Sequence, residues 1–351
     1  MTQKKSLIIA SAVLAAQIVL YYSLRSFPAF IERWYSTGIY PFIAKTMRYA
    51  LGWIPFSVGD VGYAVCIILA LRWLWVSKMD LIMLSRKRYL QLFITLNVVI
   101  GLFHVLWGFN YYRQPLHVTL NKSQTYSIDQ LKNTVNNYIT MSNQLHASLQ
   151  TVDSLPVEFT RSQSELFAVA ATAFDNVPQP ALRMAMGPTS IKESLLTLPL
   201  SYMGYSGYLN PLSAEAQTNG YINFYKAPVL ILHEMAHQLG YAKENEANFI
   251  AINAGKVHAD PYFQYSANVF ALNYLLNELA VNDLEAFEAA KATMRPGILA
   301  NYRELRLFWQ QYEGVIEDIS QATYNQYLKA NNQPDGMQTY SYVVSLLVLA
   351  E

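Results

Sequence analysis

The run His233-Glu234-Met235-Ala236-His237, followed by Gln238-Leu239-Gly240, has residue types and spacing from which metal chemistry can be built. Residues four apart share one face of an α-helix, so imidazoles at 233 and 237 can hold one Zn²⁺ from successive turns. Glu234 then lies beside the metal, where its carboxylate can take a proton from an activated water. Chance produces this spacing in many chains, so its surroundings decide its weight. They are apolar: Val229, Leu230, Ile231, Leu232, Met235, Ala236 and Leu239. A helix apolar on its remaining faces belongs in a core. Two imidazoles and a carboxylate buried there need partners to offset their desolvation. A metal ion supplies them. The plainer alternative is a pair of hydrogen-bonded core histidines with Glu234 as their partner.

A third ligand is available nearby. Glu244 opens the next predicted helix after a turn at Gly240, and Asn248 lies four residues further on. Glu246 is the alternative ligand, close in sequence but aimed at another face. The arrangement resembles the third-ligand helix of glutamate-type zincins, where a Glu binds zinc and an Asp or Asn one turn later supports a ligand histidine. That resemblance implies Glu244 on the metal and Asn248 behind an imidazole. The connection from His237 is short for that class and nearer in length to the HExxHxxGxxH motif of metzincins. Ahead of the motif, Gln217 to Phe224 could form an edge strand that takes an extended peptide by strand addition. Pro228 suits the first turn of the helix that follows. Tyr202, Tyr205 and Tyr208 could offer a hydroxyl to an oxyanion, although packing is the commoner use of any one of 26 tyrosines. His146 and His258 read as surface or capping residues, and His104 as a hydrogen-bonded residue in an apolar run.

The elements that must carry these residues divide the chain in two. Of 351 residues, 53% are hydrophobic and 14% charged, against about a quarter charged in ordinary soluble domains. Three apolar stretches, near 7–24, 58–76 and 90–109, approach the length needed to cross a hydrocarbon core as helices. Lys4 and Lys5, and the short loop with Lys78, Arg86, Lys87 and Arg88, mark the cytoplasmic side. Three spans from that start place everything after Tyr111 outside the cytoplasm. Between the first two stretches, Ile39 to Leu51 reads as an amphipathic helix at the membrane interface. A net charge of +1 argues against nucleic acid as a partner, and the single cysteine, Cys66, rules out a thiolate metal site. From 113 onward the texture is globular and mostly helical. Predicted helices cover Ser127 to Leu149 with Ser127 as N-cap, Arg161 to Phe174, Val229 to Leu239 ended by Gly240, Glu244 to Val257, Tyr265 to Leu279, and one or two between Ile298 and Ala330. Tyr202 to Phe224 has the chemistry of turns and short strands.

Three stretches carry a family resemblance: Trp107 to Leu116 (WGFNYYRQPL), Met203 to Asn219 (MGYSGYLNPLSAEAQTN) and His233 to Ala251 (HEMAHQLGYAKENEANFIA). In these, and over nearly its whole length, the chain resembles the domain of unknown function 3810 family, zincin-like membrane proteins found chiefly in Bacteroidetes. The resemblance implies His233, His237 and Glu244 as metal ligands and Glu234 as catalytic base. The expected fold is mainly α, with about three N-terminal transmembrane helices over 1–112. An extracytoplasmic zincin-like α+β domain with a small sheet and the HExxH helix then fills 113–351. The expected function is that of a membrane-anchored zinc metallopeptidase of the inner membrane, acting on peptide or protein substrates near the bilayer. The alternatives are a catalytically silent zinc-binding sensor and a structural membrane protein without metal.

Overall fold

The computed structural model describes residues 3–83, 85–175, 177, 187–337 and 342–350. The N-terminal third contains the long helices Gln3–Leu24, Val58–Ile82 and Arg86–Leu106. The first and last of these are long and apolar enough to cross a membrane. They pack together, and their few polar groups lie between them. Asn97 Nδ2 donates to the Ala10 carbonyl at 3.0 Å, and the His104 ring stacks on Tyr21 at 4.0 Å. Such inter-helix hydrogen bonds satisfy polar groups where water is scarce. The second predicted span, 58–76, lies in the helix Val58–Ile82, which carries Asp60, Arg72, Lys78 and Asp80 within its length and falls outside that pair.

Between the first two long helices the chain forms a short turn of helix at Pro28–Ile31, a π-helical stretch Glu32–Ile39 and the helix Tyr40–Leu51. This last matches the amphipathic helix read from the sequence. Its buried residues, Tyr40, Ala44 and Arg48, stand four apart on one face.

The remainder is mainly helical around one apolar core. The motif helix Lys226–Gln238, the ligand helix Glu244–Lys256 and the helices Pro261–Asn282 and Ile128–Leu149 build its centre. Ser127 caps the last of these through a reciprocal bond with Gln130, as its sequence predicts. The tail helix Val343–Ala350 is too short to span a bilayer and instead buries Val343, Val344, Leu346, Leu347 and Val348 in the core. The predicted run from Ile298 to Ala330 resolves into two helices, Pro296–Gln310 and Val315–Ala330.

Three short strands, β1 (Ile191–Glu193), β2 (Gly207–Asn210) and β3 (Glu215–Thr218), form a sheet in the order β1-β3-β2. β1 runs parallel to β3 and β2 antiparallel to it, with Leu209 and Ile191 both facing Ala216 in register. The edge strand expected over Gln217 to Phe224 is therefore corrected. Gln217 and Thr218 end the central strand, paired on both sides, and the chain turns away at Asn219. β2 is an edge, and both β3 and β2 lie against the motif helix, β2 meeting it through Gly207 at Glu234.

The motif helix must stop abruptly for its second histidine and the ligand helix to meet. Gly240 does this with φ +88°, and an added Cβ would stand 2.9 Å from the Tyr40 ring. A side chain there meets both the left-handed backbone penalty, about 1–2 kcal/mol, and an aromatic wall. Gly240→Ala is expected to lower the thermal midpoint of the purified protein by about 4 °C or more. An unchanged midpoint would show that the turn does not depend on glycine.

Candidate metal centre

The C-terminal half of the motif helix brings His233 and His237 onto one face, their rings 4.6 Å apart and nearly perpendicular. Gly240 reverses the chain, and the first residue of the ligand helix, Glu244, points back between them. Its Oε2 lies 3.2 Å from His233 Nε2 and 3.8 Å from His237 Nε2. Donor atoms of all three residues lie within 4.8 Å of one another. Ligand atoms about 2.0–2.2 Å from a tetrahedral zinc stand roughly 3.3–3.6 Å apart, so two of the three separations are already near that spacing. The donor set, two imidazole nitrogens and a carboxylate, is that of catalytic zinc sites that keep a position open. The residues fit such an ion.

Two of the three candidate ligands, His237 and Glu244, are held from behind. His237 Nδ1 donates to the Tyr241 carbonyl at 2.6 Å, which fixes the tautomer and leaves Nε2 toward Glu244. The Trp107 ring meets the His237 ring edge-on at 6.0 Å, and the Tyr40 hydroxyl donates to the Gln238 carbonyl at 3.2 Å. Arg113 completes this backing. Its guanidinium pairs with both oxygens of Glu32 at 2.6 and 2.9 Å, donates to the Gly240 carbonyl at 2.8 Å and lies 4.0 Å over the Tyr241 ring. Glu244 is oriented by Tyr324, whose hydroxyl donates to Oε1 at 2.6 Å and leaves Oε2 to the histidines.

Glu234 is buried and points the other way along the helix face, against β2. A Cβ added at Gly207 would lie 2.6 Å from Glu234 Oε1 and 2.6 Å from the Gln217 carbonyl, so only glycine lets the strand approach the carboxylate. Glu234 Oε2 and His233 Nδ1 are buried and accept or donate no hydrogen bond among the described residues. Half-buried Lys226, at the start of the same helix, donates to Ser206 Oγ at 2.8 Å, one residue before Gly207.

The charges are strongly coupled. Burial alone pulls His237 down, but the hydrogen bond and charge of Glu244, with Glu234 behind it, hold it up to about 9. Burial keeps His233 below its ordinary value. Despite burial, the two imidazoles hold Glu244 well below the usual carboxylate range. Burial pushes Glu234 up to about 8, while His237 and Lys226 pull against it. Burial lowers Lys226 to about 8. Without a metal, then, a proton on His237 supplies the positive charge that the buried Glu244 carboxylate requires, while burial favours the neutral form of Glu234.

The alternative ligand Glu246 does not join this group. Its Oε1 accepts the Leu116 amide at 2.9 Å, because two residues along the helix turn it to another face. Asn248 stands one turn beyond Glu244, but its amide donates to the Tyr274 hydroxyl at 3.3 Å rather than supporting an imidazole. The short connection through Gly240 places a backbone carbonyl behind His237 instead. Of the three tyrosines weighed for an oxyanion, Tyr208 is bonded to Asp60 and Tyr202 packs edge-on against Tyr312. Tyr205 packs against Tyr324, near enough to Glu244 that this charge, after burial, raises its hydroxyl. His146 and His258 are buried rather than at the surface. Each is satisfied by a backbone carbonyl, of Leu155 and Val169 respectively.

The model of the family described as Protein of unknown function (DUF3810) matches residues 35–348. The chain belongs to this DUF3810 family. No curated protein and no solved structure matches it. In this DUF3810 member the matched span takes in the three donors and Glu234, and also Tyr40, Trp107, Arg113 and Tyr324. Trp107 and Arg113 lie in a quoted family stretch, but their role as backing for His237 is not contained in that stretch. Tyr324 carries no sequence signal, since it stands 80 residues from Glu244 in a chain rich in tyrosine.

Two outcomes follow. A metal ligand must shed its proton, so with His237 held up to about 9, zinc must displace at least one proton between pH 6 and 8. Its apparent Kd should weaken about tenfold or more per unit of acidification, read by calorimetry in buffers of different ionisation enthalpy. A Kd independent of pH would remove His237 from the ligand set. Tyr324→Phe should weaken zinc binding about 10–100-fold, as loss of a group orienting a ligand does, with circular dichroism unchanged. Undiminished affinity would show that Glu244 needs no such support.

Proposed function

We propose that the chain is a membrane-anchored, zinc-dependent metallopeptidase. The observation that carries this reading is the company of Glu234. Beside three converging donors stands a fourth buried group, a second carboxylic acid, that belongs to none of their hydrogen bonds and keeps one oxygen unspent. A purely structural site has no use for such a group.

His233, His237 and Glu244 would hold the ion, which when bound supplies Lewis acidity toward a peptide carbonyl and lowers the pKa of water beside it. Glu234 accepts the proton of the attacking water and returns it to the leaving amine. Its raised pKa in the metal-free site favours the neutral acid at pH 7, and a positive charge close by favours the carboxylate. The base is therefore ready when the site is loaded. Gly207 sets the edge strand β2 against Glu234, so an extended substrate lying along β2 would present its backbone to that carboxylate.

For the anchor, we assign Gln3–Leu24 and Arg86–Leu106 as crossings, with Val58–Ile82 as a third. Residues 1–112 form the membrane region and 113–351 the hydrolytic part, on the face opposite the basic flanks at Lys4, Lys5 and Lys78 to Arg88. Substrates would be peptides or proteins close to the inner membrane.

The test is metal content together with turnover. Purified wild type should carry about one zinc per chain, lost from a His233→Ala, His237→Ala double variant, since two of three ligands are gone. Glu234→Gln should keep the metal and lose peptide hydrolysis by about 10²–10⁴-fold. Absence of zinc from reconstituted wild type sinks the reading, and so does Glu234→Gln with full turnover.

A further inference from the structure

We infer that residues 27–56 form a collar seated in the lipid headgroup layer, and that it carries the metal centre at the membrane surface. The inference rests on the membrane anchoring proposed above. This segment joins Gln3–Leu24 to Val58–Ile82, so it stays on whichever side of the bilayer the first helix reaches. It is built of short helices whose two faces differ. The inner face packs on the metal centre: Tyr40 is 1% exposed and hydrogen-bonded to the carbonyl next to His237, and Glu32 holds the Arg113 that grips Gly240. The outer face is bare and aromatic, with Phe27, Phe30, Trp34, Phe42, Tyr49 and Trp53 exposed, Phe42 by 75% and Trp53 by 78%.

The spacing is that of an interfacial helix. At about 100° per residue, Phe42, Lys45 and Tyr49 share a stripe some 60° wide, and Tyr40, Ala44 and Arg48 lie opposite. Two exposed cations are interleaved with the rings: Arg33 lies 5.4 Å over Trp34 and Lys45 6.0 Å from the Tyr49 ring. Tryptophan and tyrosine with lysine and arginine are the residues that sit at headgroup level, and the cations suit an anionic headgroup. A soluble face would leave these rings in water with nothing to offset their exposure.

The helix Tyr40–Leu51 thus touches lipid on one side and the motif helix on the other. One helix diameter, about 10–12 Å, separates the backing of His237 from the headgroups. Substrates of this site would be polypeptide segments that lie on, or emerge from, the membrane surface.

The collar is tested in the full chain with Cys66→Ser, carrying one new cysteine at a time: Phe42→Cys, Trp53→Cys, Val98→Cys in a membrane helix, or Val281→Cys on the exposed globular surface. Each is labelled with a small fluorophore and placed in nanodiscs of phosphatidylcholine and phosphatidylglycerol. Quenching by aqueous iodide is compared with quenching by lipids bearing a nitroxide near the headgroup or at mid-chain. Labels at 42 and 53 should be quenched by the shallow nitroxide and severalfold less by iodide than the label at 281. The label at 98 should respond to the deep nitroxide. If 42 and 53 are as open to iodide as 281 while 98 is in lipid, the collar is overturned and the anchor stands. Protection at 42 and 53 from both quenchers would mean that a second copy of the chain covers the face, which also overturns it. A label at 98 that no lipid quencher reaches removes the anchor, and the collar with it.

Discussion

Two imidazoles and two carboxylates stand together in the interior of this protein, and everything around them answers the electrostatic problem they pose. A buried carboxylate without a counter-charge is costly, and Glu234 and Glu244 are both buried. Glu244 is satisfied by the histidines and Tyr324. Glu234 is not: one of its oxygens stays unspent, and burial holds its pKa up so that without a metal it favours the neutral acid. A divalent ion answers the same need with more charge at nearly the same place. The site is thus arranged for a cation whether that cation is a proton or a metal.

That arrangement sets the local architecture. The two imidazoles must come from consecutive turns, so the motif helix must be regular through His237 and then stop. It must stop within a few residues for Glu244 to return to the same point, which only a left-handed turn at Gly240 achieves. The turn exposes the Gly240 and Tyr241 carbonyls, and both are used, one by Arg113 and one by His237. The brevity that separates this connection from longer glutamate-type sites is therefore compensated by backbone support where those sites use an Asn or Asp side chain. Asn248 bonds Tyr274, and the Tyr241 carbonyl gives His237 the support expected of that side chain.

The sequence is informative where local rules govern. Period and capping place Ser127 before its helix and Gly240 after the motif helix, and i, i+4 spacing puts His233 and His237 on one face. Glu244 is within reach for the same reason, since only a turn separates it from His237. What local rules cannot express is pairing across the chain. The strand against Glu234 is β2, chosen by the missing side chain of Gly207, whereas strand propensity points to Gln217 to Phe224. Tyr324, Arg113 and Trp107 reach the site from distant segments, and nothing in their neighbours distinguishes them from packing residues. The buried Lys192–Glu215 pair is similar. It ties β1 to β3 at 2.6 Å, and Glu215 also accepts the Val58 and Gly59 amides, so a glutamate quoted for its family stretch proves to fasten a long N-terminal helix to the sheet.

These long-range attachments share a direction. His237 leans on Tyr40, Trp107 and Arg113, and the sheet beside Glu234 is fastened through Glu215 and Tyr208 to the start of Val58–Ile82. All of these supports precede or adjoin residue 113, where composition changes from apolar to globular. A metal centre needs its ligands oriented to within a fraction of an ångström, and loops of the globular part alone offer no rigid wall behind His237. The apolar helices supply one. Their contribution to the site is mechanical as well as positional: on the proposed anchoring, the elements that would meet the bilayer are the elements that hold the second histidine, so a displacement of one would be felt at the other through a single layer of side chains.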